Sequence, residues 1–266
     1  VLDRFNRNIN YLRISVTDRC NLRCLYCMPE EGVTLLRHED ILTFDEIVAF
    51  TREAVMMGIT KVRITGGEPL VRKNVTTLVS MIAGVEGITD LSMTTNGTRL
   101  AEFAAGLAKA GLMRVNVSLD TIDPEKFRFV TRGGDVNEVL RGIRAAQEAG
   151  LTPVKINCVI KSTPDEDDAR AVAEYSMKNG LEVRFIRQMD LASGSFSVVH
   201  GGSGGNCAKC NRLRLTAEGT VKPCLFSDLG FSVRELGARE SIMRALGNKP
   251  QAGTANSSNG FYNIGG

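Results

Sequence analysis

The sequence predicts an α/β fold with parallel strands, helices packed outside them, and a cysteine-bearing segment at the end. Three observations carry that expectation. Apolar, strand-like runs alternate with stretches of helical periodicity through the first 190 residues. The runs number six, fewer than the eight strands of a closed barrel, so an open or partial barrel fits the count, while a flat doubly wound sheet has the same pattern. The alternation stops at Leu191, where Gly/Ser-rich linker composition takes over.

The first strand covers residues 11–16 and leads into a loop carrying Cys20, Cys24 and Cys27. Thr43 and Glu46 form a capping box, and Ile47, Phe50 and Ala54 recur at helical spacing. They predict a helix over 43–57, ended by Gly58. A strand over 59–65 stops at Gly66-Gly67-Glu68-Pro69, and a helix near 74–82 leads to a strand at 91–95, ended by Asn96-Gly97. Residues 100–110 read as helix and 113–119 as strand; Asp123-Pro124 opens another helical stretch, and 136–149 is a helix ended by Gly150. A strand over 154–160, a helix over 168–179 and a strand over 181–186 complete the series. The active site is expected at the C-terminal strand ends, where the cysteine loop, Gly66-Gly67-Glu68, Asn96 and Ser118-Leu119-Asp120 fall. The domains are then 1–190, a linker over 191–206, and 207–266. Residues 213–222 read as a hairpin turning at Glu218-Gly219, which returns Cys224 towards Cys207 and Cys210. The tail over 252–259 has the composition of a mobile segment and leads to Gly265-Gly266.

A chain of 266 residues can bury a full core. Its 43% hydrophobic and 24% charged content is that of an ordinary globular protein. A net charge of +3, with no basic patch interleaved with aromatics, points away from nucleic acid. No apolar run reaches membrane-spanning length, and the polar N-terminal residues lack a signal-peptide pattern. Val1 in place of an initiator Met suggests a start inside the native chain. Seven clustered cysteines without an export signal point to metal binding and a reducing, cytoplasmic, oxygen-sensitive setting. Oligomeric state stays open, a homodimer being one expectation.

Cys20, Cys24 and Cys27 stand at C-x3-C-x2-C spacing. Thiolates hold iron–sulfur clusters, usually four per cluster, so three would leave one iron open for chemistry. On spacing alone, a zinc site completed by His38 and a partial disulfide set remain alternatives. Cys207, Cys210 and Cys224 suit either zinc or a second cluster. His38 lies in a charged loop and His200 in the linker, so neither is a favoured ligand; Cys158, in a strand, reads as a small core residue.

The cysteine loop, with Tyr26 before its last cysteine, is similar to the signature of the radical S-adenosylmethionine (SAM) superfamily. Further segments resemble, within it, a family of GTP cyclases in molybdenum-cofactor biosynthesis. They are Ser15–Cys20, Thr43–Glu46, Arg63–Leu70, Thr94–Gly97, Asn116–Asp120, Arg184–Ile186, the Cys207 to Cys224 group with Asn211-Arg212-Leu213-Arg214, and Gly265-Gly266. The resemblance covers nearly the whole length. It implies a partial (βα)6 TIM-like barrel with a C-terminal iron–sulfur cluster subdomain. Two departures stand out: the link from Met189 to Cys207 is much shorter than in the family, and Asp190 stands where the family often has proline.

The resemblance implies two [4Fe–4S] clusters and SAM as cofactors, with Cys20, Cys24 and Cys27 holding the first cluster and Cys207, Cys210 and Cys224 the second. Tyr26 and Met189 would contact the adenosine of SAM, and Gly66, Gly67 and Glu68 its methionine end. Asn96 and Ser118 would bind the ribose or carboxylate. A 5'-deoxyadenosyl radical would take hydrogen from ribose C3' of GTP, the C3' radical would attack guanine C8, and reduction would give 3',8-cyclo-7,8-dihydro-GTP. A reducing electron donor feeds such an enzyme, and cyclic pyranopterin monophosphate synthase takes its product. Arg13, Arg63, Lys155 and Arg184 lie in strand-like runs, where an inward-pointing cation needs a partner; together they suit a triphosphate, and singly each can equally face solvent. Arg212 and Arg214, two apart on a presumed strand, share a face. The resemblance adds this pair and Thr94 to the GTP contacts, and brings Gly265 and Gly266 into the active site. The alternatives are a radical SAM peptide-modifying enzyme with an auxiliary cluster, which would need a peptide-binding element ahead of the first strand, and a zinc-stabilised binding protein.

Overall fold

The structure is a computed structural model that describes residues 1–257 and 260–264. Among them, nine strands form one sheet in the order β6-β5-β4-β3-β2-β1-β7-β8-β9. The first six are β1 (Tyr11–Ser15), β2 (Lys61–Thr65), β3 (Asp90–Thr95), β4 (Arg114–Ser118), β5 (Lys155–Ile160) and β6 (Glu182–Arg187). Each pairs in parallel with the next. The connecting helices are α1 (Phe44–Met56), α2 (Val75–Ala83), α3 (Leu100–Lys109), α4 (Pro124–Thr131), α5 (Val136–Glu148) and α6 (Asp167–Lys178).

Strand order decides between the two architectures that the sequence left open. A doubly wound sheet reverses its order at a switch point. Here the order runs in one direction from β1 to β6, and right-handed crossovers then put every helix on the same face. Neighbouring helices pack in that sequence, α1 on α2, α2 on α3 and α3 on α5. Alternate strand residues such as Leu12, Ile14, Val62, Ile64, Val115 and Val117 are fully buried in the core. The intervening residues line cavities on the other face. The sheet is thus a curved, unclosed partial barrel.

The predicted elements appear within one or two residues of their expected ends. Thr43 caps α1, its hydroxyl accepting the Glu46 N–H at 3.2 Å while the Glu46 carboxylate accepts the Thr43 N–H at 2.7 Å. The sixth strand differs from the first five in having no helix of its own. After β6 the chain folds back on itself: Phe185 and His200 exchange backbone hydrogen bonds at 3.0 Å, as do Asp190 and Ser195 at 2.9 Å. The Gly/Ser-rich composition of 191–206 thus supports tight turns as well as a link. A Cβ on Gly205 would lie 1.9 Å from the Ser197 carbonyl oxygen.

The C-terminal segment continues the same sheet. β7 (Arg212–Leu215) pairs in parallel with β1, and β8 (Thr220–Lys222) folds back antiparallel as the expected hairpin. β9 (Phe231–Ser232) leads into α7 (Val233–Leu236) and α8 (Ala238–Gly247), and α8 packs on α1. The tail expected to be mobile is tied down at Asn256, which is buried and donates its side-chain N–H to the Leu225 carbonyl at 2.9 Å. α9 (Phe261–Ile264) buries Ile264 with Leu191, Leu225 and Phe226 in a small apolar cluster separate from the main core. No described helix is long and apolar enough to cross a membrane.

Candidate active site

Cys20, Cys24 and Cys27 sit on the loop after β1 and line one cavity at the C-terminal strand ends. Gly66 and Gly67 explain how the loop reaches this position. Gly67 donates its N–H to the Thr17 carbonyl at 2.7 Å, and Glu68 donates to the Arg19 carbonyl at 2.8 Å. A Cβ on Gly67 would lie 2.3 Å from the Arg19 oxygen, so backbone meets backbone only with glycine there. Asp18 is buried; it accepts the Leu36 N–H at 2.6 Å and pairs with Arg19, whose guanidinium also donates to the Leu36 carbonyl at 2.9 Å. Arg132, at the end of α4, donates to the Arg23 and Met28 carbonyls at 3.1 and 2.9 Å.

The residues expected to contact SAM all line this first cavity: Tyr26, Gly66, Gly67, Glu68, Asn96, Ser118 and Met189. Two of them also hold the rim together. Glu68 is buried, and its carboxylate accepts from the Asn96 N–H at 2.6 Å, the Thr95 hydroxyl at 2.8 Å and the Leu70 N–H at 3.0 Å. Burial nonetheless outweighs these bonds and raises its pKa to about 7. Asn96 donates to Asn21 at 2.9 Å and approaches the Cys20 sulfur at 3.9 Å. Thr94, expected at GTP, faces this cavity instead, and Phe261 and Tyr262 of α9 close one side.

The thiols here are free, and burial opposes their ionisation. Cys24 is pushed up to about 12 by burial and then by Asp120, Cys27 and Cys20. Cys27 is pushed to about 12 by burial and then by Cys20. Three thiolates facing one cavity would repel one another, so they form only around a positive centre, and coordination to iron supplies one. The donor set therefore fits an iron–sulfur cluster. Among the described residues, no three His, Cys, Asp or Glu groups meet as they do around a single ion.

A second cavity, of about 390 Å³ against about 190 Å³ for the first, lies towards the N-terminal ends of the same strands. The two share Asn157, Ile186 and Met189 in their walls. Strand register builds the second cavity. Arg214 of β7 lies opposite Arg13 of β1, and Arg13 opposite Arg63 of β2. Arg63 lies opposite Ser92, and Ser92 opposite Arg114 of β4. Four arginines thus share one level of the sheet, all on its inward face. Arg184 and Arg212 line the same cavity. Among the described residues, eight cationic side chains line it against one carboxylate, Asp90, which pairs with Arg114 at 2.6 Å. Burial, then Arg214, Arg63 and Arg212, hold the Arg13 pKa well below its usual value, and burial followed by Arg212 lowers Arg214 to about 10. Such crowding of like charge is relieved by an anion.

Lys155 is not part of this lining. It shares the inward face of β5 with Asn157, but its ammonium is paired with Glu182 on the neighbouring strand. Lys61 and Arg114 do line the cavity and were not singled out from sequence, although two-residue spacing from Arg63 and Asn116 puts them on the inward faces.

Cys207, Cys210 and Cys224 line the second cavity, brought together by the β7–β8 hairpin. Burial pushes the Cys210 thiol up, but Lys249 and Arg212 outweigh it and bring it down to about 7. The two cysteine groups therefore face adjoining cavities. Cys158 is buried in the core as expected, and His38 is exposed. Gly265 and Gly266 lie outside the described residues.

Residues 14–175 match the family described as the Radical SAM superfamily, and residues 160–256 match Molybdenum Cofactor Synthesis C. The chain is 41% identical to a GTP 3',8-cyclase of Thermodesulfovibrio yellowstonii over 303 residues, covering 94% of each chain. It is 42% identical to one of Moorella thermoacetica, covering 92% of this chain and 90% of that one. The first aligned span exceeds this chain's 266 residues, so that relative carries insertions without counterpart here. Among solved structures, Streptococcus suis SuiB bound to S-adenosylmethionine is similar with a TM-score of 0.66 at 15% identity, covering 94% of this chain and 66% of that one. Native anSMEcpe with bound AdoMet gives a TM-score of 0.65 at 16% identity, over 91% of this chain and 81% of that one. At such identity these structures show the fold alone.

Proposed function

This chain belongs to the radical SAM superfamily and, within it, to the GTP 3',8-cyclases, and from that membership we propose that its two adjoining cavities divide one reaction between them. The reaction is the conversion of GTP to 3',8-cyclo-7,8-dihydro-GTP in molybdenum-cofactor biosynthesis. The observation that carries the division of labour is the arginine row of Arg214, Arg13, Arg63 and Arg114 on one side of the shared Met189 wall, with Cys20, Cys24 and Cys27 on the other.

Cys20, Cys24 and Cys27 hold a [4Fe–4S] cluster, and Gly66, Glu68, Asn96 and Ser118 form the wall against which SAM lies. When bound, cluster and SAM supply the carbon radical that takes hydrogen from the nucleotide's ribose C3'. Tyr26 and Met189 flank the adenosine side. The arginines neutralise the triphosphate, their planar forks matching phosphate oxygens, and fix the nucleotide so that its ribose faces the shared wall. Phe261 and Tyr262 help keep water from the radical, and the family resemblance gives Gly265 and Gly266 a role in the active site. Cys207, Cys210 and Cys224 hold a second [4Fe–4S] cluster at the nucleotide end. That cluster would supply an open iron for a base nitrogen or oxygen. A low-potential donor provides the electron, and cyclic pyranopterin monophosphate synthase takes the product.

Anaerobically reconstituted, reduced protein given SAM and GTP deuterated at C3' should yield 5'-deoxyadenosine carrying the deuterium, together with a cyclised nucleotide. Deoxyadenosine that rises with a peptide and not with GTP would overturn the assignment. Iron analysis should give about eight irons per chain for two clusters; about four would remove the second.

A further inference from the structure

Two buried cations outside the arginine row grip the backbone that carries the second cysteine group. Arg7, ahead of β1, is 8% exposed. Its Nε–H pairs with Asp3 at 2.7 Å, and the rest of its fork donates to three carbonyl oxygens: Cys207 at 2.8 Å, Pro250 at 2.7 Å and Gln251 at 3.0 Å. Asp3 in turn accepts the N–H groups of Phe5 and Arg7 at 2.9 and 3.0 Å, which sets the hook from which the guanidinium projects.

Lys249 is 2% exposed. Its ammonium donates to the Arg212 carbonyl at 2.7 Å and to the Pro223 carbonyl, and its charge acts on the Cys210 thiol. Three of the five carbonyls that these two side chains hold belong to Cys207 itself, to the residue before Cys224 and to the residue two past Cys210. Each of the three cysteine-bearing segments is therefore held by one of the two cations. Arg7 and Lys249 are themselves joined through Pro250, the residue after Lys249. The β7–β8 hairpin brings Cys224 back beside the Cys207–Cys210 turn, whereas Arg7 lies ahead of β1 and Lys249 after α8, so the two cations tie this hairpin to distant parts of the chain.

We propose that Arg7 and Lys249 are positioning residues for the second cluster: they hold the three cysteines in register before metal arrives, and Lys249 places a positive charge beside the thiolates. This rests on the reading above that Cys207, Cys210 and Cys224 bind a cluster. Groups that orient ligands from behind typically matter 10- to 100-fold for metal affinity.

The test uses the full chain with Cys20, Cys24 and Cys27 changed to alanine, so that iron reports on the second site alone. After anaerobic reconstitution, the half-time of iron loss to a chelator and the cluster's midpoint potential are measured. Lys249→Met and Arg7→Met should each shorten the half-time at least tenfold. Lys249→Met should also move the potential in the negative direction, because the reduced cluster carries more negative charge, and Lys249→Arg should restore most of that shift. Half-times within twofold of the parent in both Met variants would overturn the proposal. Folding is controlled in a chain with Cys207, Cys210 and Cys224 changed to alanine, where the same Met substitutions should leave first-site iron loss unchanged. Equal loss there would make the two cations general to the fold and would also overturn it. If the parent takes up zinc, or no iron, with Arg7 and Lys249 intact, the cluster reading itself fails and this proposal falls with it.

Discussion

Tyr26 donates its hydroxyl proton to the Asp120 carboxylate across 2.8 Å, and Asp120 accepts the Val159 N–H with its other oxygen, also at 2.8 Å. Tyr26 lies between Cys24 and Cys27, whereas Asp120 follows β4 and Val159 belongs to β5. One side chain thus ties the cluster loop to strands well away from the strand that precedes it. Burial raises the pKa of both partners. Tyr26→Phe leaves a buried carboxylate oxygen without its donor and should lower stability by about 1–3 kcal/mol. Anaerobic urea unfolding of the variant against the parent measures it; coincident midpoints would show that the bond adds nothing.

Gly67→Ala should be far more damaging than its one added methyl suggests. The new Cβ would lie 2.3 Å from the Arg19 oxygen and 2.9 Å from the Asp18 oxygen, both backbone atoms that cannot rotate away. The Gly66-Gly67 turn must then part from the cysteine loop and lose the Gly67 and Glu68 N–H bonds to it. The expected outcome is loss of first-site iron after reconstitution while second-site iron is retained, read in chains carrying one cysteine set at a time.

The arginine row predicts opposite effects on binding and stability. Arg13 is half-buried and crowded by like charges, so Arg13→Met should leave the nucleotide-free protein no less stable. The same change should weaken GTP binding by about ten- to a hundredfold through loss of a charge-assisted contact. Lys155→Met should weaken it much less, because the ammonium is already paired with Glu182. Calorimetric titration of both variants with GTP checks the ranking, and equal losses would contradict it.

Glu68 carries a pH signature. Its pKa is about 7 in the folded protein against 4.5 for the free side chain. A group with a raised folded-state pKa contributes stability that is fully present below the unfolded value and is lost as pH rises through the folded one. Between about pH 4.5 and 7 the contribution should fall by on the order of 3 kcal/mol. Urea midpoints at pH 5 and pH 8 should therefore separate more for the parent than for Glu68→Gln, in which nothing titrates at this position.

Much of the site was legible because its signals are local. The capping box at Thr43 and Glu46, the turn at Glu218-Gly219 and the spacing of Cys20, Cys24 and Cys27 need only near neighbours in sequence. Arg7 and Lys249 gave no comparable signal: a buried charge is recognisable only by its partners, and most of the carbonyls that these two hold lie on other elements. Lys155 shows the converse. Its place on an inward strand face was readable, but its pairing with Glu182 depends on which strand lies beside β5.

By itself the sequence determined the alternation of strands and helices, the two groups of three cysteines, and the strand faces on which the arginines lie, since side-chain period follows from backbone geometry alone. Only the tertiary structure decided that the strand order runs one way, so that the connecting helices α1 to α6 cover one face and the other is free to line cavities. It also decided that β7 docks beside β1, which aligns Arg214 with Arg13 and Arg63 and carries the second cysteine group to the wall of the second cavity, which adjoins the first. The physical reason is that register between strands distant in the chain is set by packing and ladder hydrogen bonds across the whole sheet, which no local pattern records.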